Sequence, residues 1–179
     1  NIEIIDYAGK WQNELMDIYL PSKCKFFLGG PSGLIHVPQI FNIPVASTNC
    51  FPVTVLSIPK DSLFIPKLIW STEKKRVLSY REIYEYSINK LYKPDEFIKI
   101  GLKVLENSPE DIKLLAEDMF DLLNNIKLHP KEENRRKKFM EKYFTINQFT
   151  NKFSKSDGLN NSGKISWRFL EKHSYLMNV

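Results

Sequence analysis

Several residue types are scarce in this chain, and each scarcity narrows what it can be. Two cysteines among 179 residues rule out a disulfide-dense scaffold. Cys24 and Cys50 lack any CxxC spacing or paired histidines, so a zinc site is not expected. No run of about 18 apolar residues is present, which argues against a membrane-spanning helix. Secretory-signal and repeat patterns are also missing, so a soluble, cytoplasmic chain with reduced thiols is the expectation. There is no Asp-x-Asp pair, and neither cysteine has a histidine placed to make it a nucleophile.

Apolar residues make up 42% of the chain and aromatics 13%, enough for a buried core rather than disorder. The formal charge is +5, much of it between His129 and Phe144. There Lys131 and Arg135-Arg136-Lys137-Lys138 are followed by Phe139, Met140, Tyr143 and Phe144. This segment, 131–144, reads either as a basic amphipathic helix touching anionic membrane or as a helix with a solvated cationic face. No nucleic-acid-binding signature accompanies the charge, so nucleic acid is not expected as a partner. The chain opens on Asn1 and enters the apolar stretch Ile2–Ile5 at once, as the C-terminal part of a longer protein would.

What is abundant is punctuation around one short segment. Cys24-Lys25-Phe26-Phe27-Leu28 reads as a strand, and Gly29-Gly30-Pro31-Ser32-Gly33 ends it abruptly. Leu34 to Phe41 then reads as a short helix and Ile43 to Thr48 as a returning strand. Pro38 removes an N–H inside that helix, so the helix either is very short or starts near Pro38 after an irregular turn. Upstream, Ile2–Tyr7 reads as a strand and Trp11–Leu20 as an amphipathic helix stopped by Pro21. The series β-α-β-α-β, with short connections, implies parallel pairing.

Asn49 to Ile69 reads as a loop stiffened by Pro52, Pro59 and Pro66, of the kind that lines a ligand crevice. Ser79-Tyr80-Arg81-Glu82 is a capping box opening a helix over Ile83–Leu91. A further helix begins at Pro94, with Phe97, Ile98, Leu102 and Leu105 facing inward. Ser108-Pro109-Glu110-Asp111 opens another, with serine as cap and acids in the first turn. Asn151 to Lys164 reads as a mobile loop, and Ile165–Leu170 as a short closing helix. The expected fold is α/β: a Rossmann-like parallel sheet flanked by helices over 1–128, then a helical extension over 129–179.

The phrase Phe26-Phe27-Leu28-Gly29-Gly30-Pro31-Ser32-Gly33, then a helix, then Phe41-Asn42-Ile43-Pro44-Val45, resembles the donor-binding half of GT-B glycosyltransferases. More narrowly, it resembles a family of bacterial glycosyltransferases associated with surface polysaccharide synthesis. Asp17-Ile18-Tyr19-Leu20, Asn49, Pro52, Ile65-Pro66-Lys67, Gly163-Lys164-Ile165 and Phe169-Leu170 carry the rest of the likeness, which is strongest over 1–85. The resemblance implies a two-domain enzyme with a nucleotide-sugar donor in its crevice. It also implies a departing diphosphate stabilised by helix amides and basic side chains rather than a metal. The acceptor-side domain, where inverting GT-B enzymes carry their general base, is not in this chain. The cell's inner membrane face is a fitting location for such an enzyme.

The residues themselves point the same way. A small-residue turn after a strand, opening a helix, leaves backbone N–H groups facing outward at the positive end of the helix dipole. Gly29, Gly30, Ser32, Gly33 and Leu34 are therefore candidate diphosphate contacts, Ser32 adding a hydroxyl; the alternative is a tight turn that binds nothing. Lys67 and Arg76 are candidates for neutralising the leaving group, or are ordinary surface cations. Asn49 either bonds a nucleotide or sugar hydroxyl or serves a turn. His36 is an acid–base candidate or a partly buried structural histidine, while His129 and His173 fall outside the crevice. A sugar-nucleotide epimerase of the same fold and a non-catalytic nucleotide-binding or assembly module are the competing readings. An NAD-dependent dehydrogenase is disfavoured because GxGxxG is absent.

Overall fold

The computed structural model describes residues 4–51, 59–85, 88, 91, 93–146 and 162–177. The protein has an α/β fold whose main sheet holds four parallel strands flanked by helices. In spatial order these are β1 (Phe27–Gly29), β2 (Val45–Cys50), β3 (Leu63–Pro66) and β7 (Lys164–Ile165). A second, antiparallel sheet places β4 (Leu68–Ser71) between β5 (Arg76–Val77) and β6 (Leu102–Leu105). β3 and β4 are separated by Lys67 alone, so one extended stretch serves both sheets.

The expected first strand is absent from the described residues. Ile4 to Asp6 are irregular and Tyr7–Lys10 form a one-turn helix, α1, because the Asp6 carboxylate accepts the Gly9 N–H at 3.0 Å. Ile2 and Glu3 lie outside the described residues. α2 (Glu14–Lys23) starts at an Asn13 cap whose side chain accepts the Met16 N–H at 3.0 Å. Pro21 does not stop this helix; it sits inside the last turn, with the Cys24 N–H still bonded to the Leu20 carbonyl. The Pro38 ambiguity resolves into a 3-10 turn, Gly33–Ile35, running straight into α3 (His36–Ile40).

Two segments expected to be loop or helix are strands. Leu63 to Ser71 is almost wholly β, with Ile65 and Ile69 fully buried. Pro66 sits at the end of β3, where its missing N–H interrupts nothing; Pro52 lies outside the described residues. The helix opened by Pro94 is only α5 (Pro94–Lys99). Gly101, at a φ of +70°, turns the chain into β6, so Leu102 and Leu105 are strand residues and Ile98 is 66% exposed.

The helix starts with capping signals are present. α4 (Tyr80–Glu85) has Glu82 accepting the Ser79 N–H at 2.9 Å. α6 (Pro109–Leu123) has the reciprocal Ser108 and Asp111 box, and its Leu115 and Met119 are fully buried. α7 (Pro130–Ile146) buries Phe139 and Met140 in the same core, and its Lys131, Arg135, Lys137 and Lys138 are exposed. The region 129–179 contributes α7 and α8 (Trp167–Lys172), and it also supplies β7, the fourth strand of the main sheet. Most of the span read as a mobile loop, 147–161, lies outside the described residues. No described helix is long and apolar enough to cross a membrane.

α8 is anchored to α6 by charge. Asp118, 6% exposed, accepts from the Ser166 hydroxyl at 2.7 Å and the Arg168 N–H at 3.0 Å, and pairs with the Arg168 guanidinium. Two turns towards the N-terminus of α6, Asp111 is 3% exposed. Burial pushes its carboxyl up, but bonds from Lys172, His173 and Ser108 outweigh that and hold it down at about 2.

This sets an acid limit on stability. A carboxylate with a depressed folded-state pKa contributes stability that is complete above its unfolded value, 3.8 here, and is lost as pH falls through about 2. Asp111 is expected to contribute roughly 2 kcal/mol of this kind. Urea unfolding of wild type and Asp111→Asn at pH 7 and pH 2.5 checks it: the variant should be less stable at pH 7, with a gap that narrows at pH 2.5.

Candidate functional site

β1, β2 and β3 run parallel, so their carboxyl ends open on one edge of the sheet. Gly29 stands level with Ser47, and Ser47 with Phe64. The register then slips between Ser47 and Cys50, and Asn49 absorbs the slip at a left-handed φ of +52°. Asparagine tolerates that conformation better than most residues. Along this edge lie the glycine turn after β1, Asn49 near the end of β2, and Lys67 just past β3.

The glycine turn is open. Ser32 is the cap of the 3-10 turn in an extended conformation, and its hydroxyl makes no capping bond. Ser32, Gly33 and Leu34 are exposed. A β-carbon placed on Gly33 would meet nothing within 4 Å, and one on Gly30 would make only ordinary contact with Thr48 at 3.8 Å. One on Gly29 would press the Phe27 ring at 2.7 Å. The first bond within the turn runs from the Ile35 N–H to the Ser32 carbonyl, so the Gly33 and Leu34 N–H groups precede the intrahelical ladder.

Asn49 is built into the fold. Its N–H donates to Asn107 Oδ1 at 2.5 Å, and its own Oδ1 accepts the Asn107 N–H at 2.7 Å. Asn107 Nδ2 donates to the Pro66 carbonyl at 2.7 Å. The loop between β6 and α6 is thereby fastened across the ends of β2 and β3. Asn107 carries no motif, and its partners lie 58 and 41 residues away, so nothing local in the sequence marks it.

Lys67 lies on the candidate edge, with Nζ 2.5 Å from Glu106 Oε1. Glu106 is 65% exposed there, which makes the pair a weak one. Arg76 lies elsewhere. It is opposite Ser71 in the antiparallel sheet, four residues beyond Lys67, or about 13 Å along an extended strand. Its guanidinium is bidentate on Glu82, at 2.9 and 2.6 Å. The Arg76 bonds hold Glu82 far below the usual carboxylate range against the upward push of burial, with Lys74 and Ser79 adding to them.

The remaining candidates separate clearly. His36 is exposed and its Nδ1 lies 2.9 Å from Gln39 Oε1, one turn along the same helix. Cys24 and Cys50 are free thiols, and burial pushes Cys50 up to about 11, which makes it unreactive at neutral pH. Thus Gly29, Gly30, Ser32, Gly33, Leu34 and Lys67 share one sheet edge, Asn49 is engaged beneath it, and Arg76 is remote. No protein-family model, curated protein or solved structure matches the chain.

The Asn107 clasp has a measurable consequence. Asn107→Ala deletes two side-chain bonds and leaves the Asn49 N–H and the Pro66 carbonyl unpartnered by it. The expected loss is about 2–4 kcal/mol, with exposure of the β2 and β3 ends to hydrogen exchange. Denaturant unfolding with amide exchange on Asn49 and Lys67 reads both.

Proposed function

We propose that this chain is the donor-binding part of a GT-B type glycosyltransferase. It would hold a nucleotide-sugar whose sugar passes to a carbohydrate or lipid-linked acceptor seated in another half. One observation carries the reading: the glycine turn at the carboxyl end of β1 is exposed, and among the described residues no side chain caps its N–H groups. Open α/β sheets gather their ligands at this edge, and N–H groups at a helix start suit a phosphate.

In this reading the Gly33 and Leu34 N–H groups and the Ser32 hydroxyl take the diphosphate oxygens. Such fixed donors stabilise the negative charge that grows on the leaving group as the glycosidic bond breaks. Lys67 adds a cation at the same edge once its contact to Glu106 is exchanged for a phosphate oxygen. The transfer as drawn needs no metal. The Lys67–Glu106 pair also favours a second reading, a non-catalytic nucleotide-binding module in which the lysine stays neutralised.

Thermal melting against uridine and guanosine diphosphates tests both. A ligand at about 100 times its Kd should stabilise the fold by roughly 2.7 kcal/mol, a rise on the order of 5–10 °C. Gly33→Val should abolish that rise while leaving the unliganded melt nearly unchanged, because its β-carbon enters open space. Glu106→Gln should tighten diphosphate binding about three- to fivefold by releasing Lys67, whereas an unchanged affinity favours the non-catalytic module. If no diphosphate raises the melting temperature, both readings fail.

A further inference from the structure

A second cluster of polar groups, remote from the glycine turn, ends in a cavity. Asp111 is nearly inaccessible, and its Oδ2 accepts the Ser108 N–H at 3.0 Å and the Ser108 hydroxyl at 2.7 Å. Its Oδ1 lies 2.8 Å from Lys172 Nζ and 2.8 Å from His173 Nε2. An ionised carboxylate only accepts, so His173 Nε2 carries a proton and, in the neutral ring, Nδ1 is the bare nitrogen. In that form the nitrogen, 2.7 Å from the Tyr175 hydroxyl, accepts its hydrogen. The ring of Phe169, 4.5 Å away between centroids, and that of Tyr175, 5.6 Å away, hold the imidazole in place. Tyr175 therefore has its own hydrogen engaged and an oxygen left to accept.

Tyr175 lines a cavity of about 530 Å³ together with Trp70, Val77, Lys75, Arg76 and Glu82. That size suits a small-molecule site, as does an apolar wall with a few fixed polar groups. Trp70 and Val77 face each other across β4 and β5, so they present one face of the antiparallel sheet. Glu82 accepts from Arg76, Lys74 and Ser79. Its oxygens are thus occupied, and its single charge is shared between Arg76 and Lys74. A phosphate, whose oxygens are mainly acceptors, would meet the Tyr175 lone pairs, while Arg76 is already held by Glu82. A ligand with hydroxyl donors and an apolar ring face fits better, since it can donate to Tyr175, accept from Lys75 and lie on Trp70.

We propose that this cavity binds a saccharide ring, with Trp70 beneath its apolar face and Tyr175 accepting one of its hydroxyls. His173, fixed by Asp111, is a positioning residue that decides which way the phenol points. The site is independent of the diphosphate edge, being built on β4, β5 and the C-terminal turn.

The indole N–H of Trp70, followed by NMR, reads occupancy directly. Neutral hexoses, hexosamines, uronic acids and their disaccharides are titrated against the full chain, with inorganic phosphate as control. At least one saccharide should shift the Trp70 signal while phosphate does not, and Gly33→Val should leave that response intact. Tyr175→Phe keeps the ring and removes only the oxygen, so affinity should fall about fivefold. Adding His173→Gln to Tyr175→Phe should cause no further loss, since both act through one hydroxyl. The proposal is overturned if no saccharide moves Trp70, if phosphate moves it instead, or if Tyr175→Phe binds as well as wild type. Because nucleoside diphosphates play no part in this titration, its failure leaves the donor-site reading untouched.

Discussion

The carboxamide of Asn107 holds the point at which one strand leaves the parallel sheet and enters the antiparallel one. At that point the Pro66 carbonyl and, at the register slip, the Asn49 N–H both take their partners from Asn107. A single side chain with both donor and acceptor answers these needs, and its backbone N–H closes the exchange with Asn49. Without it, buried polar groups at the ends of β2 and β3 would lose their partners, at a cost of about 1–3 kcal/mol each. The candidate site is a consequence of this arrangement. Lys67 stands where it does because its N–H is held by the Cys50 carbonyl at 2.6 Å, and Glu106 meets it because Asn107 draws the β6–α6 loop across.

Carboxylates fix the C-terminal region in the same manner. Asp111 and Asp118 project from one helix, seven residues or about two turns apart, and both face the segment from Ser166 to His173. Each is buried and each receives three or more donors, the condition under which a buried charge stabilises rather than unfolds its surroundings. β7 pairs over only two residues of β3, so the strand alone could not hold this segment. Burial of Trp167, Phe169 and Leu170 against the core, with Asp118 on the Ser166–Arg168 end, supplies the remainder.

Local signals in the sequence were readable where local forces decide. The capping boxes at Ser79 and Ser108, the glycine turn after β1 and the short helix beyond it all follow from neighbours within four residues. Three features resisted for physical reasons. Ile2 to Tyr7 looks like a strand by composition, but over its described part, Ile4 to Tyr7, the Asp6 cap favours a turn of helix and nothing pairs with a described strand. Leu63 to Ser71 follows Pro59 and contains Pro66, which read as breakers, yet Pro66 falls at a strand end where its ring is tolerated. Leu102 to Leu105 has apolar spacing that fits a helix until Gly101 reverses the chain. The clusters around Asn107 and His173 depend on contacts 41 to 62 residues apart, which no spacing rule can reveal.

The two cations singled out from sequence illustrate why a charge alone does not make a phosphate site. Arg76 and Lys67 each face one carboxylate, but the carboxylates differ. Glu82 caps α4 and is bonded by Lys74 as well, so displacing it from Arg76 would also uncover the Ser79 N–H and weaken a helix start. Glu106 has no comparable duty among the described residues: it is largely exposed and bonded there to Lys67. An exposed pair of that kind contributes about 0–1 kcal/mol, less than a charge-assisted bond from lysine to a phosphate oxygen at about 1.5–3 kcal/mol. Lys67 can therefore exchange partners when an anion arrives at the sheet edge, and Arg76 cannot do so without cost to the fold. Selection between the two rests on what else each partner carboxylate holds, and only Lys67 shares an edge with the open glycine turn.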